Sequence, residues 1–513
     1  EYDGSVSGEH GDGRARTQWN HKLYGDELWA TFQELKTAFD PEWLLNPGQV
    51  VFREDGPTDI TEDHRFGPDY AFDAGFDTEL NWDNENGMQG MVELCHGCGG
   101  CRAPQETVGG VMCPTYRAAE EEITSTRGRA NALREAMSGQ LDLDEAFSKE
   151  FKEEVLDLCI GCKGCKIDCP SGVDMAKLKA EVTHEHHERH GPKLRDRLFA
   201  NFEAAAKLGS ALAPVANAAA ALPGARALLE RTLGIEPNRP LPEFHRKTFH
   251  DRFEARGGEE GSVARAVAAT DGDDPVRWAA LYPDTITNYC NPAAGEAALE
   301  TLEAAGVAVT IPDGVGDTGR PAFSKGFIDA AKRTALDNLD VLGPLVADGY
   351  DVVVIEPSDA VMFQSDYLDL RSGDVVETVA GHTYGVCEYL DTFGLDRNLS
   401  FDADEDSLAY HGHCHQKATA KDHHAVGVLR RAGYDVEPLD SGCCGMAGSF
   451  GYEAEHYSMS QAIARLLYGQ HHDSAADRVV APRASCPPQP HNREAVPDEP
   501  PSPIDTVPEA HAR

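Results

Sequence analysis

The chain has 513 residues, 41% of them hydrophobic, with 87 acidic against 46 basic side chains and a net charge of −41. So acidic a protein lacks the Lys and Arg surplus with which nucleic-acid binders neutralise phosphates, and its apolar content supports buried cores, which excludes a solvated acidic tail as the whole molecule. The acids run along the entire chain, which fits a protein of a halophile's salty cytoplasm better than an ordinary acidic enzyme.

The opening segment, GSVSGEHGDGRAR, is glycine-rich around an acid and a base. A helical pattern from about Asp26 to Phe39 is expected to stop at Asp40-Pro41, because proline disfavours helix in the residue before it. LLNPGQVV follows, and then a polar stretch, so residues 1–53 read as the end of a larger domain and 54–90 as a linker. Too few apolar residues lie in the first piece for an independent core. Neither a signal peptide nor a run of about 18 apolar residues is visible, so no transmembrane segment is expected.

Residues 91–190 carry eight cysteines in two runs: Cys95, Cys98, Cys101 and Cys113, then Cys159, Cys162, Cys165 and Cys169, with Cys113 and Cys169 each before proline. The second run has the bacterial ferredoxin spacing, in which three close thiolates grip one cubane and the fourth reaches the other. One [4Fe-4S] cluster is thus expected on Cys95, Cys98, Cys101 and Cys169, and a second on Cys159, Cys162, Cys165 and Cys113. Two triplets with Cys-Pro partners exceed what tetrahedral zinc needs, and cysteines this close within one turn cannot all form disulfides. The stretch from Thr115 to Ser148 reads as helical, with Thr124 and Ser125 as caps, which makes the module an α-helical ferredoxin-like domain. His96 is expected to be a neighbour of the ligands, since the cysteine set is complete.

Residues 191–278 read as a helical connector, its Ala-rich part from Leu198 to Leu229 taken as soluble helices ahead of membrane-surface contact. From about Ala279, helical and β-branched stretches alternate: DTITNYC, a helix at 297–305, VAVTIPD, a helix at 327–342, YDVVVIEPS. The block then recurs as SLAYHGHCH, a helix at 426–432, YDVEPLDSGCCG, a helix at 453–467, DRVVAPRASC. Residues 279–490 are therefore expected to form a duplicated α/β domain with largely parallel strands. Laying the halves together puts Asp317-Thr318 over Cys443-Cys444 and Asp359 over Cys486, at separations of 42 and 43 residues. His411, His413 and His415 alternate as on a strand and are expected to be solvated or structural, ahead of ligand or proton-carrier roles. Cys387 reads as core and 491–513 as a loose tail.

Two resemblances follow from these residues. Ser7-Gly8-Glu9-His10-Gly11-Asp12-Gly13 with FDPEWLLNPGQVV is similar to the C-terminal end of FAD-linked oxidases of D-2-hydroxy acids. That resemblance implies His10 as acid/base group at flavin and substrate, Asn46 near the flavin, a divalent metal at Glu9 in some members, and FAD held mainly by an FAD-binding domain upstream. The pattern Cys414-x28-Cys443-Cys444-x41-Cys486 resembles the cysteine-rich CCG domain of heterodisulfide reductases and of iron-sulfur subunits of glycerol-3-phosphate, lactate and glycolate oxidoreductases. It implies a third iron-sulfur centre on those four cysteines, or else buried thiols or a redox pair; Gln489 and Pro487 depart from the family pattern, and the first copy keeps only Cys290 nearby.

Together these imply part of a fused FAD/iron-sulfur 2-hydroxy-acid dehydrogenase. Electrons would pass singly through the clusters to a quinone or cytochrome-type acceptor, with D-lactate as first substrate and glycolate and D-2-hydroxyglutarate behind it. A cytoplasmic location is expected, peripheral at the inner membrane face as the variant. The alternatives are an anaerobic glycerol-3-phosphate dehydrogenase or heterodisulfide-reductase-like subunit, and a pure electron carrier.

Overall fold

The computed structural model describes residues 4–53, 55–60, 70, 75–103, 111–139, 141, 148–270, 272–401, 406–481, 502–503 and 506–507. They fall into two units, 1–72 and 73–513.

In the first unit a helix runs over Thr17–Phe39, kinked at Gly25 where φ is 74°. It starts earlier than the apolar pattern suggests, because Thr17 and Asn20 bury polar groups there: the Val50 amide donates to Thr17 Oγ1 (2.8 Å) and Asn20 Nδ2 to the Val50 carbonyl (3.0 Å). Asp40 ends it, its carboxylate accepting from the Leu44 and Leu45 amides and from Lys36. Trp29 is buried edge-on against Phe52.

The second unit begins with a strap. Glu181, buried, accepts from the amides of Glu79 and Leu80 and from Trp82 Nε1, so part of the polar linker is pinned to the helix Met175–His190. Helices Pro114–Ala119 and Thr126–Met137 sit between the two cysteine runs, and Ser125 caps the latter by accepting from the Gly128 amide.

Among the described residues, seven strands form two parallel sheets. The first has the order β2-β1-β3-β4, with β1 at Arg277–Tyr282, β2 at Val307–Thr310, β3 at Asp351–Val354 and β4 at Thr383–Gly385. The second has the order β6-β5-β7, with β5 at Ser407–Tyr410, β6 at Asp435–Pro438 and β7 at Arg478–Val480. The same 2-1-3 arrangement in both is the structural form of the duplication. One apolar core joins them through Leu281, Val309, Tyr389, Leu408, Val428 and Val480. Phe249 and Phe253, from the expected connector, lie in that core.

Three expectations need correction. DTITNYC is not a strand: β1 precedes it, and Asp284 caps a helix at Thr285–Tyr289 by accepting from the Thr287 amide. The strand β5 ends at Tyr410, so the three histidines lie in the loop and short helix beyond it, and all are buried rather than solvated. Finally, the tail is not loose throughout, since Val507 is buried in the shared core.

Candidate electron-transfer site

The eight ferredoxin-type cysteines converge on two cavities. Cys113, Cys159, Cys162 and Cys165 line one. Cys95, Cys98, Cys101 and Cys169 line another, with His96 on its wall. The fourth cysteine of each run thus reaches the other run's triplet. The fold enforces this crossing: Asp168 accepts from the Val111 and Met112 amides (2.7 and 2.8 Å), locking the Cys113 segment to the helix Gly164–Asp168. Gly164 is required there, because a Cβ would sit 2.7 Å from Val111 Cβ.

Amide and guanidinium donors already aim at these sulfurs. The Arg127 amide donates to Cys101 Sγ and the Met175 amide to Cys165 Sγ, each at 3.4 Å. Arg129, buried, places Nη1 3.8 Å from Cys113 Sγ, Nη2 3.3 Å from Thr115 Oγ1 and Nε 3.0 Å from the Val155 carbonyl. Burial raises the Cys113 thiol, but Arg129 and Thr115 outweigh it and hold the thiol below its ordinary value. Cys162 and Cys165 are driven well above theirs, first by burial and then by neighbouring anions, so iron binding must expel their protons. Four soft thiolate donors per cavity, with hydrogen-bond donors on sulfur, fit a [4Fe-4S] cluster in each.

The cavity that holds Cys162 touches the cysteine-rich repeat. Cys162 packs with Val111, Cys414, Cys443 and Ile463 in one buried cluster. A Cβ on Gly442 would lie 3.1 Å from the Val111 carbonyl, so the Gly442-Cys443-Cys444 turn closes tightly on the ferredoxin module there. Hydrogen bonds with Cys414 and Cys444, then burial, raise the Cys443 thiol well above its ordinary value. Cys486 lies outside the described residues.

Buried charge cements this junction, and sequence reasoning missed it. Lys163, between two expected ligands, pairs with Asp366 (2.6 Å), which also takes Arg320 Nη1 (2.6 Å). Arg320 Nη2 lies 3.2 Å from His415 Nδ1, and His415 Nε2 donates to the Gly161 carbonyl (3.1 Å). Burial, then Arg320, hold His415 well below its ordinary value. His411 Nδ1 meets Ser441 Oγ at 2.6 Å, and His413 Nε2 lies 3.9 Å from Glu356. These histidines tie the loops of both halves together.

In the first repeat the aligned positions also converge: Thr318 donates to Asp359, and Thr285 Oγ1 to Asp317 Oδ2 (3.0 Å). Carboxyls occupy the place of thiols. Burial, then its neighbours, raise Asp284 and Asp317 to about 6. Cys290 is pushed up to about 12 by burial and by Asp284.

In the first unit Glu9 and His10 stand exposed, paired at 3.1 Å. Asn46 is exposed in a left-handed turn with φ 47°.

Residues 1–50 match the family described as FAD linked oxidases, C-terminal domain, residues 75–173 the 4Fe-4S dicluster domain, and residues 408–489 the Cysteine-rich domain. The chain is 24% identical to D-2-hydroxyglutarate dehydrogenase of Escherichia coli (strain K12) over 91% of its own length and 48% of the relative's. The D-2-hydroxyglutarate dehydrogenase of Haemophilus influenzae matches at 25% over 90% of the chain and 47% of the relative. A subunit of the anaerobic glycerol-3-phosphate dehydrogenase of Escherichia coli (strain K12) matches at 26% over 61% of the chain and 75% of that subunit. The chain spans about half the length of the D-2-hydroxyglutarate dehydrogenases it matches. The chain thus resembles, in order, the C-terminal domain of FAD linked oxidases, the 4Fe-4S dicluster domain and the Cysteine-rich domain, and the relatives it matches over about nine-tenths of its length are D-2-hydroxyglutarate dehydrogenases.

Proposed function

We propose that this chain carries electrons away from the FAD-dependent oxidation of a D-2-hydroxy acid and delivers them one at a time to a quinone or cytochrome-type acceptor. The observation that carries the reading is the juxtaposition of two four-cysteine cavities with Cys414 and Cys443 beside the one that holds Cys162. Clusters held by those eight cysteines supply single-electron transfer, which a flavin reduced by hydride needs in order to be reoxidised stepwise. The chain's own part is to seat the sulfurs, direct amide and guanidinium donors at them, and keep water away from the buried thiols. Cys414, Cys443 and Cys444, with Cys486, form the exit, as a third iron-sulfur centre or as thiols.

The substrate favoured is D-2-hydroxyglutarate, ahead of D-lactate and glycolate, because the relatives matched over about nine-tenths of the chain carry that name. His10 is proposed as the acid/base group, with Asn46 near the flavin and Glu9 as a metal ligand in the assembled oxidase domain. In support, the first unit exposes Leu28, Leu35, Phe39, Leu44 and Leu45, an apolar face suited to packing against the rest of an FAD-linked oxidase domain. The match to a glycerol-3-phosphate dehydrogenase subunit favours a second reading, an iron-sulfur subunit serving a separate flavoprotein. The test is anaerobic dye reduction by the complete enzyme with D-2-hydroxyglutarate, D-lactate, glycolate and glycerol 3-phosphate. The highest kcat/KM is expected for D-2-hydroxyglutarate; reduction by glycerol 3-phosphate alone would overturn the reading.

A further inference from the structure

The helices Phe202–Ala211, Ala213–Ala220 and Ala225–Leu233 are amphipathic in the inverted sense. Their polar side chains turn inward: Ser210 Oγ donates to the His245 carbonyl (2.6 Å), Asn217 Nδ2 to the Phe244 carbonyl (2.9 Å) and Arg226 Nη1 to the Arg239 carbonyl (2.6 Å). Their large aliphatic side chains turn outward: Leu208, Leu212, Val215, Leu222 and Leu228 are each more than half exposed. From residue 208 to 229 every exposed residue is Ala, Leu, Val, Pro or Gly. A soluble surface has the opposite arrangement, and a contiguous apolar patch on it marks a docking site.

The charge pattern says what docks. In a chain with 87 acids, residues 204–229 contain none; at the borders Lys207 pairs with Glu203 (2.8 Å) and Arg231 stands beside the exposed Glu230, so the segment is locally near neutral, with Lys207, Arg226 and Arg231 against Glu203 and Glu230. Between residues 208 and 229 the exposed set offers no aromatic ring, no arginine and no hydrogen-bonding side chain, the groups that anchor protein partners. Aliphatic side chains in an acid-free stretch, on a chain whose other surfaces are strongly acidic, match the acyl boundary of a bilayer, where the repulsion felt by the rest of the protein is locally absent. None of the described helices is long and apolar enough to cross a membrane, so these three would lie in the interface.

We propose that residues 202–233 form a monotopic membrane-docking surface that inserts its aliphatic side chains into a lipid interface. The proposal goes beyond the electron-transfer reading and does not depend on the identity of the substrate. It places a quinone acceptor, dissolved in that lipid, within reach of the same polypeptide.

The test is flotation of the full, cluster-loaded chain with vesicles of mixed phosphatidylcholine and phosphatidylglycerol. The wild-type chain is expected to float with the vesicles, and a Leu212→Glu, Val215→Glu double variant to partition at least tenfold less. Its visible iron-sulfur spectrum and iron content should be unchanged, since both positions face outward. Val375→Glu, at an exposed apolar site elsewhere, should bind as wild type. Wild type that stays unbound, or a double variant that binds equally well, overturns the proposal. So does a wild-type dimer in sedimentation that the double variant dissociates, which would assign the patch to a second copy.

Discussion

Arg129 Nη1 lies 3.8 Å from Cys113 Sγ, and Arg129 is buried with only a carbonyl, a hydroxyl and this sulfur as its partners among the described residues. A buried guanidinium without a carboxylate is costly unless another anion balances it. Once iron binding has expelled the Cys162 and Cys165 protons, the ligating thiolates of that cavity supply that anion. Arg129→Gln should therefore lower the reduction potential of one cluster and leave the other in place. The expected size is on the order of a tenfold change in its one-electron reduction equilibrium, about 59 mV. Arg129→Lys should keep most of the wild-type value, and EPR-monitored redox titration reads both variants.

The crossed ligand sets give a pairing test. Cys95 and Cys169 border the same cavity, so a Cys95→Ser, Cys169→Ser double variant should lose one cluster and keep about four of about eight irons. Cys169→Ser combined with Cys159→Ser strikes both cavities and should lose both clusters. Iron and sulfide analysis after anaerobic reconstitution distinguishes these outcomes from uncrossed sets, which would reverse them.

Asp366 balances two buried cations, Lys163 and Arg320, at the junction of the ferredoxin module with both repeats. Removing one partner of such a group leaves charge unpaired in low dielectric. Asp366→Ala should cost about 3–5 kcal/mol of stability, read as a lowered denaturation midpoint and early loss of the iron-sulfur absorbance.

The carboxyl cluster of the first repeat predicts a pH dependence. Burial, then mutual repulsion among Asp284, Asp317, Asp359, Glu356 and the nearby Glu203, raises Asp284 and Asp317 to about 6. A carboxyl raised in the folded state favours folding while protonated, and that contribution is lost as pH rises through about 6. Asp317→Asn removes the ionisation, so it should exceed wild type in stability by roughly 1–3 kcal/mol above about pH 7. The difference should close toward about pH 4, where both side chains are neutral, as thermal unfolding across pH would show.

Much of this was legible from spacing. Cysteine periodicity located both cavities, because three thiols within one turn can face only one centre, and the cap at Ser125 followed from its neighbours. The duplication was visible because strands buried on both faces leave apolar runs, as at Val352–Val354. What local pattern could not reveal was long-range. Thr285–Tyr289 carries β-branched residues yet folds as helix, since Asp284 supplies the cap. The burial of His411, His413 and His415 depends on Ser441, Glu356, Arg320 and Gly161, some of them far away in sequence. The ion pairs of Lys163 and Arg320 with Asp366 leave no periodic trace at all.

Freeze-quench EPR of the complete enzyme, mixed anaerobically with D-2-hydroxyglutarate, decides whether electrons from the hydroxy acid enter the two cysteine cavities. Reduced [4Fe-4S] signals should appear after flavin bleaching and be lost in a Cys95→Ser, Cys159→Ser variant that still bleaches. Flavin that bleaches and reoxidises through the acceptor at the wild-type rate in that variant, or clusters that stay oxidised in the wild type throughout turnover, would contradict electron transfer through these cavities.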